Sequence, residues 1–458
     1  MNFYTDRQTI DDLNIFGKRG KQSVYVLFNR TYTKGGAELL EHMFRHPLAD
    51  ITAINERIQC IRLFAERPWD FFQHHDLFDI LSLYLSMRDT RSRLLHTDNG
   101  LTRTLNNIVK PDTDLQMIKK GIQAGARFLQ ELKAFSDRLE TDLSATHPWK
   151  KSQAGIRHLL QHPDLQLVLQ VSHKQIPFEK QVVIDQLLRF RFNDEMQKLL
   201  NYCFEMDVYM SVGKLAAIKD FVFPEPVTIP KNLLELKGVY HPELEKPIAN
   251  DLRLDEEQNL LFLTGANMAG KSTFMKSVGI ALYLAHMGFP VPAASMRFSV
   301  RDGLLTTINL SDNLNMGFSH FYSEARRVKL MAAALKKGLN MFLLIDELFR
   351  GTNVKDAHDG TIAISAGFAK KRNSCYIIST HIMEAGEQLA RNYPQISFYF
   401  LPTRMEGHMP VYPRILEKGI SADRHGMVII HNEGIIEMLN AAAKKIQSPQ
   451  KNDHAVPC

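Results

Sequence analysis

Two hydrophobic patterns divide the chain, and they meet near residue 222. In the first part, apolar residues recur at helical spacing from Leu115 to Leu139, just after helix-start residues at 111–113. A second run, from about Val182 to Ile218, keeps the same spacing with no proline and one glycine. We predict two long helices packed antiparallel. Such stripes are core-facing surfaces and do not by themselves indicate a function.

A different pattern begins after a proline cluster. Pro224, Pro226 and Pro230 cannot continue a helix, so we place a domain boundary there. Beyond it, short apolar runs alternate with helical segments, which predicts an α/β domain with a largely parallel sheet. The predicted strands are Leu260–Thr264, Met341–Ile345, Cys375–Thr380 and Ile396–Leu401. We predict a helical domain over 1–222, an α/β domain over 223–447 and a polar tail over 448–458.

Composition narrows the class of protein but not its chemistry. The 458 residues are 45% hydrophobic and 23% charged, as in soluble globular proteins. The net charge of +6 is too small to indicate nucleic acid by itself. Four scattered cysteines suggest neither a zinc site nor a disulfide framework. The longest apolar stretch, Val278 to Ala294, is interrupted by prolines, so we expect a cytoplasmic protein that does not contact a membrane.

The strongest chemical signal follows the first predicted strand. Residues 265–272 match G-x-x-x-x-G-K-[ST], the phosphate-binding loop, and a helical pattern from Thr273 to Met287 comes next. Its glycines allow backbone N–H groups to converge on an anion, Lys271 can reach the β- and γ-phosphates, and Ser272 can bind Mg²⁺. The alternative, an ordinary glycine-rich turn, lacks this strand–helix context. The predicted nucleotide-binding residues are Gly265, Ala266, Asn267, Met268, Ala269, Gly270, Lys271, Ser272 and Thr273.

Two further strands end in polar residues that suit nucleotide hydrolysis. After Met341–Ile345, Asp346 is placed to hold Mg²⁺ and Glu347 to orient and deprotonate the attacking water. The alternative is that two acids merely follow a core strand. His381 ends another predicted strand and could hydrogen-bond the γ-phosphate, although a histidine there is often only structural. We predict Glu347, His381 and Lys271 as catalytic, and Ser272 and Asp346 as metal ligands.

A fourth segment, residues 311–321, is polar and precedes a helical run. Ser319 lies near the start of that run. A serine at a helix N-terminus suits an anion, including one held by another subunit. By itself this signal is weak.

These segments together resemble the MutS family of DNA mismatch-repair ATPases. The loop spacing Asn-Met-x-Gly-Lys-Ser-Thr at 267–273 is more distinctive than a bare phosphate loop. Residues 346–352 resemble the family's Walker B segment, 379–381 its switch histidine, and 317–321 with Glu324 its signature segment. Residues 29–35 and 54–57 resemble the start of its core domain, and 240–242 and 248–251 the start of its ATPase domain.

The resemblance implies a fold and a function. It implies an α plus α/β chain, with an all-helical core and lever domain followed by an ABC-type P-loop ATPase domain with a mainly parallel sheet. It also implies a homodimer with composite sites, in which Ser319 of one subunit faces the γ-phosphate held by Lys271 of the other. Helices around 434–446 would support dimerisation, and Ile248 would join the nucleotide-binding residues. ATP and Mg²⁺ would drive conformational change on DNA.

The sequence also departs from the family pattern. We expect a short form without the mismatch-reading domain, the connector and most of the clamp, with residues 149–179 as a clamp remnant. Ala266 and Ala269 replace the usual Pro and Gly of the loop. Pro247 stands where the family tends to have an aromatic residue that stacks on adenine, and Phe349 replaces a glycine beside Walker B.

Three functions are compatible with these sequence features. The first is a DNA-binding, DNA-modulated ATPase, in which Arg189, Arg191 and Lys198 meet phosphates, although a solvated helix face explains them as well. The second is a nucleotide-gated protein-interaction ATPase that does not bind mismatches. The third, a transport ATPase subunit, is disfavoured by the loop sequence and by the absence of an apolar span.

Overall fold

The computed structural model describes residues 3–17, 21–66, 76–95, 112–141, 143–172, 175–229, 231–308, 320–349, 352–406, 409–421 and 434–440. They form two compact units. The first contains the chain up to Thr228 together with Pro242–Glu245 and Gly279–Gly303. The second contains Ile229–His241, Lys246–Val278 and the residues from Leu304 onward. The predicted domain limits stay a prediction.

Helices dominate the first unit. Several begin where a side chain accepts a hydrogen bond from the first turn: Thr33 caps Lys34–Arg45, and Asp50 caps Ile51–Ala65. Its α-helices are Arg7–Asp12, Val24–Phe28, Lys34–Arg45, Ile51–Ala65, Asp76–Ser86, Asp112–Glu140, Trp149–Leu160, Pro163–Leu169, Phe178–Asp185 and Asn193–Lys219. The helix Lys271–His286 begins in the second unit and ends in the first.

The structure confirms one of the two long helical runs and interrupts the other. The first is confirmed as the helix Asp112–Glu140. The second is interrupted, because a π-helical segment, Gln186–Arg191, separates Phe178–Asp185 from Asn193–Lys219. The backbone N–H of Phe192 donates to the carbonyl of Leu187, five residues earlier, at 2.8 Å, which is the π-helical pattern. Hydrophobic spacing does not show this local change of winding.

Direct antiparallel pairing of the two long helices is not what buries their apolar faces. Asp112–Glu140 packs mainly on Asp76–Ser86, and a Cβ added at Gly121 would lie 2.2 Å from Cγ of Tyr84. Asn193–Lys219 packs mainly on Ile51–Ala65 and Lys34–Arg45. The two runs contact each other through Phe178–Asp185, but other helices supply most of the partner surfaces, so the predicted pairing is a minor part of the packing.

Arg189 is not available to bind DNA, contrary to the expectation from sequence. It is 1% exposed and its guanidinium donates to Asp185 at 2.6 and 2.5 Å. It also donates to the carbonyl of Met87 at 3.0 Å and the hydroxyl of Ser92 at 2.7 Å. Arg189 therefore forms a buried ion pair with Asp185 and connects the segment after Asp76–Ser86 to the π-helical turn.

Trp149, the first residue of the predicted clamp remnant, is part of the helical packing. It is 2% exposed, and its ring meets those of Phe64 and Tyr209 edge-on, with centroids 5.9 Å apart in both pairs. The two helices that follow it, Trp149–Leu160 and Pro163–Leu169, contact the long helix Asp112–Glu140. In this structure the segment serves the core of the first unit.

The strands lie mostly in the second unit. They are β1 Glu225–Val227, β2 Leu234–Val239, β3 Asn250–Leu254, β4 Leu260–Gly265, β5 Ser295–Ser299, β6 Gly303–Thr307, β7 Met341–Ile345, β8 Cys375–Ser379, β9 Ile396–Leu401, β10 Arg404–Glu406, β11 Met409–Val411 and β12 Glu417–Lys418. The main sheet has the order β12-β9-β4-β8-β7-β6. Pairs β4–β8, β4–β9 and β7–β8 are parallel, and β12–β9 is antiparallel. The four predicted strands are confirmed, and the sheet is mixed.

The main sheet is covered by helices, which gives the unit its α/β character. Its helices include His320–Lys336, Val354–Ala369 and Met383–Asn392. Their apolar faces and the strands β4, β7 and β8 form one buried cluster, which holds Phe262, Leu343 and Ile378 at 0% exposure. Within the part of the chain that the structure describes, no helix is both long enough and apolar enough to cross a bilayer.

Candidate functional site

The predicted site residues converge on one edge of the main sheet. The strand β8 lies between β4 and β7, and all three run parallel. Leu263 is in register with Ser379, and Ile345 with Ile378. The carboxyl ends of the three strands therefore meet at the same edge, where ligands bind in open α/β sheets.

The phosphate loop takes three residues into the left-handed region. Gly265 has φ 139°, Met268 has φ 73° and Gly270 has φ 107°. A Cβ on Gly265 would lie 2.8 Å from the carbonyl oxygen of Leu401, so only glycine fits that position. Ala269 is not among the residues with positive φ and is fully buried, so alanine there costs no backbone strain.

Lys271 folds its side chain back onto the loop. Its Nζ donates to the carbonyl of Gly265 at 2.8 Å and to that of Ala266 at 3.1 Å. Burial lowers the pKa of the Lys271 ammonium, and the nearby carboxylates of Asp346 and Glu347 oppose that shift. The loop thus holds a cation at the point where the glycine-rich turn enters the helix Lys271–His286.

Asp346, which follows β7, is linked by two serines to the end of β8 and to the start of the helix Lys271–His286. One carboxylate oxygen accepts a hydrogen bond from Ser272, at the start of the phosphate-loop helix, and the other accepts from Ser379, at the end of β8. Burial raises the pKa of the Asp346 carboxyl, and the two serine hydroxyls oppose that shift. The predicted metal residues Ser272 and Asp346 are therefore in direct contact.

Glu347 follows in an unusual backbone conformation. Its φ of 53° is left-handed, which costs a non-glycine residue roughly 1–2 kcal/mol. Its backbone N–H donates to Oγ of Ser379 at 3.2 Å. The sequence analysis does not predict Ser379 as a site residue. The available signal was a small hydroxyl residue at the end of a buried strand.

Phe349, which stands where the resemblance leads one to expect glycine, also takes a left-handed conformation, with φ 62°. Its ring is buried at 6% exposure and lies 5.2 Å from the ring of Phe321, centroid to centroid. A Cβ on Gly360 would come within 2.8 Å of this ring. The aromatic substitution is thus accommodated by packing, since a glycine on the facing helix leaves room.

A residue that the sequence did not predict lies beside the loop. Arg414 has φ 59°, and its Cγ is 3.6 Å from the position a Cβ would take on Gly270. Asn250 holds this segment in place: it donates to the carbonyl of Arg414 at 3.0 Å and accepts from the N–H of Leu416 at 2.7 Å. The proximity comes from the fold, because these residues are far apart in sequence.

Several other predicted residues are exposed. His381 follows β8 and is exposed, as are Asn267 and Thr273. Ile248 is 45% exposed in the segment before β3. Ser319 and most of the segment 311–321 lie outside the described residues. The roles assigned to all these residues stay predictions.

The donor set at the edge fits Mg²⁺ with a nucleotide. Ser272 and Asp346 supply hydroxyl and carboxylate oxygens, which are the ligands this cation prefers, and Mg²⁺ usually keeps waters and phosphate oxygens as its remaining ligands. Among the described residues, no group of three or more His, Cys, Asp or Glu side chains could hold a metal ion. The composition of the edge suits a metal bound together with phosphates, rather than one enclosed by protein ligands.

Comparison with known proteins matches both parts of the chain. The family model for MutS domain III matches residues 8–213, and that for MutS domain V matches residues 261–449. The chain is 24% identical to the DNA mismatch repair protein MutS of Thermotoga petrophila over 98% of the chain and 66% of that protein. The corresponding protein of Thermotoga maritima gives the same figures, 24%, 98% and 66%. That of Fusobacterium nucleatum is 30% identical over 55% of the chain and 28% of its own length. The chain thus spans slightly less than two thirds of the Thermotoga proteins.

Proposed function

Because the chain belongs to the MutS family, we propose that it is a DNA-binding ATPase that hydrolyses ATP at composite sites between two copies of itself. The observation that carries the ATPase part of the proposal is the contact between Ser272 and Asp346. It joins the phosphate loop to the carboxylate that ends β7, although β8 separates the two strands. Such a contact with an acidic residue at the end of another strand is not expected of an ordinary glycine-rich turn.

Each residue at the edge has a distinct part in the proposed reaction. Lys271 and the loop amides bind the β- and γ-phosphates, with the dipole of the helix Lys271–His286 behind them. Ser272 and Asp346 hold Mg²⁺, which neutralises charge on the phosphates when it is bound. Glu347 accepts the proton of the attacking water. Glu347 itself takes the left-handed backbone conformation, with φ 53°.

The proposed DNA-binding and dimer functions rest on the family alone. Arg189 is excluded as a phosphate contact by its burial. Arg191 keeps an exposed side chain, although it pairs with Asp164 at 2.6 Å, and Lys198 is exposed. Ser319 is proposed to face the partner's γ-phosphate. The relatives are named for DNA mismatch repair, and recognition of a mismatch by this chain is a proposal that needs its own test.

Nucleotide binding and turnover can be tested separately. Lys271→Ala is expected to abolish ATP binding, whereas Glu347→Gln should bind ATP and hydrolyse it about 10²-fold more slowly or worse, since it lacks the general base. Glu256→Gln, an exposed acid elsewhere in the same unit, is the matched control and should keep wild-type turnover. Equilibrium binding of a fluorescent ATP analogue and phosphate release give the two readouts. Normal turnover by the Glu347 variant would exclude its assigned role.

DNA binding is tested with perfect, mismatched and branched duplexes over a range of salt, with and without ATP. We expect an affinity that falls as salt rises, because phosphate contacts release counterions. An absence of binding at low salt in both nucleotide states would reject the DNA-binding part of the proposal. The ATPase result would still stand, and a nucleotide-gated protein-interaction ATPase would then be the better description.

A further inference from the structure

We propose that Ser379 is a positioning residue that holds both acidic residues of the site in the arrangement that binds the metal. This inference rests on the proposed ATPase function and adds a residue to it. The hydroxyl of Ser379 donates to Oδ1 of Asp346 and accepts the backbone N–H of Glu347 at 3.2 Å. One side chain therefore contacts both consecutive acidic residues.

The direction of each hydrogen bond is set by chemistry. A backbone N–H can only donate, so the Ser379 oxygen accepts from Glu347 and its own proton is left for the Asp346 carboxylate. Ser272 occupies the other carboxylate oxygen of Asp346. With both oxygens engaged, the carboxylate plane is fixed, and the Ser272 oxygen keeps lone pairs for a cation.

The position of Ser379 in the sheet explains why it can contact both Asp346 and Glu347. It is the last residue of β8, the strand between the phosphate-loop strand β4 and the carboxylate strand β7. The next residue is tied to β4, since the N–H of Thr380 donates to the carbonyl of Leu263 at 3.1 Å. Ser379 is 0% exposed, so water does not replace its hydroxyl easily. It thus links the ends of the two strands that carry the site.

A merely structural serine is the competing explanation, and the chain contains a matched control for it. Ser374, just before the other end of β8, is also 0% exposed. Its hydroxyl accepts the N–H of Met341, the first residue of β7, at 3.0 Å and donates to the carbonyl of Leu339 at 3.4 Å. Ser374→Ala therefore removes the same kind of buried bond between β8 and β7, but at the opposite edge of the sheet.

The test measures metal affinity rather than turnover alone. Mn²⁺ binding to the nucleotide-loaded full chain is titrated by electron paramagnetic resonance, and a fluorescent ADP analogue is titrated with and without Mg²⁺. We expect Ser379→Ala to weaken metal affinity about 10-fold or more, as loss of a residue that orients a ligand does. Its metal-free nucleotide affinity should stay within twofold of wild type, and Ser374→Ala should change neither quantity. Ser379→Cys keeps a side chain of similar shape but with a weaker hydrogen-bond donor, so its metal affinity should lie between those of wild type and Ser379→Ala. If the alanine variant does not fold, the metal affinity of the cysteine variant provides the test.

The possible outcomes distinguish failure of this inference from failure of the proposed ATPase function. A folded Ser379→Ala protein with wild-type metal affinity overturns the positioning role and leaves the ATPase proposal standing. An equal loss of metal affinity in Ser374→Ala also overturns it, since the effect would then be general to the sheet. A wild-type protein without metal-dependent nucleotide binding overturns both.

Discussion

The buried ion pair between Arg189 and Asp185 makes a prediction that distinguishes stability from DNA binding. Both side chains are fully buried in the first unit. Asp185 also accepts from the hydroxyl of Tyr84 at 2.9 Å and the N–H of Leu94 at 3.2 Å. Arg189→Met removes the cation and keeps most of the volume. It leaves a buried carboxylate without its counter-charge.

The expected loss of unfolding free energy is about 3–5 kcal/mol, the usual result of breaking a buried pair by removing one partner. Two remaining hydrogen bonds to Asp185 place the value at the lower end, since each bond to a charged group is worth about 1.5–3 kcal/mol. A loss of this size is a large part of the roughly 5–15 kcal/mol that stabilises most domains. Adding Asp185→Leu should restore much of it, because the orphaned charge is then gone.

Urea unfolding followed by circular dichroism measures these changes. Arg191→Met is the matched control, since that side chain is 61% exposed and surface ion pairs contribute at most about 1 kcal/mol. DNA affinity of the folded Arg189→Met protein should equal that of wild type at every salt concentration. A stability change below about 1 kcal/mol, or a lower salt slope in DNA binding, would refute the argument.

Two further predictions concern protonation and packing. His286 is fully buried between the carbonyl of Leu48 and the N–H of Arg301, and burial lowers the pKa of its imidazole to about 3. The unfolded chain takes up this proton near pH 6.5, so stability should fall as pH drops from 6.5 towards 3, by about 2 kcal/mol at pH 5 from this group. His286→Gln should flatten that slope in urea unfolding at pH 7 and 5, and an unchanged slope would contradict the assignment. Phe349→Gly should relieve roughly 1 kcal/mol of backbone strain but lose about 3–5 kcal/mol of packing, so the melting temperature should fall; a rise would show that strain dominates.

Much of the second unit could be predicted from sequence, because its signals are local. A buried parallel strand reads as a short apolar run, so β4, β7, β8 and β9 were located correctly. The strand–turn–helix order around the predicted phosphate loop is equally local, since β4, a glycine-rich turn and the helix Lys271–His286 follow each other along the chain. The family followed from motif spacing, and the matches to MutS domains III and V agree with it.

The tertiary structure alone decided which side chains meet. The sequence allowed Arg189 to contact DNA phosphates or to lie on a solvated helix face, and only packing showed that it is buried against Asp185. The π-helical turn could not be predicted either, because the spacing of apolar residues does not reveal a single extra residue in a helical turn. Ser379 could be identified only from the strand order, which places β8 between the two strands that carry the proposed nucleotide site. Local patterns determine elements and loops, whereas contacts between distant segments depend on the order and register in which those elements pack.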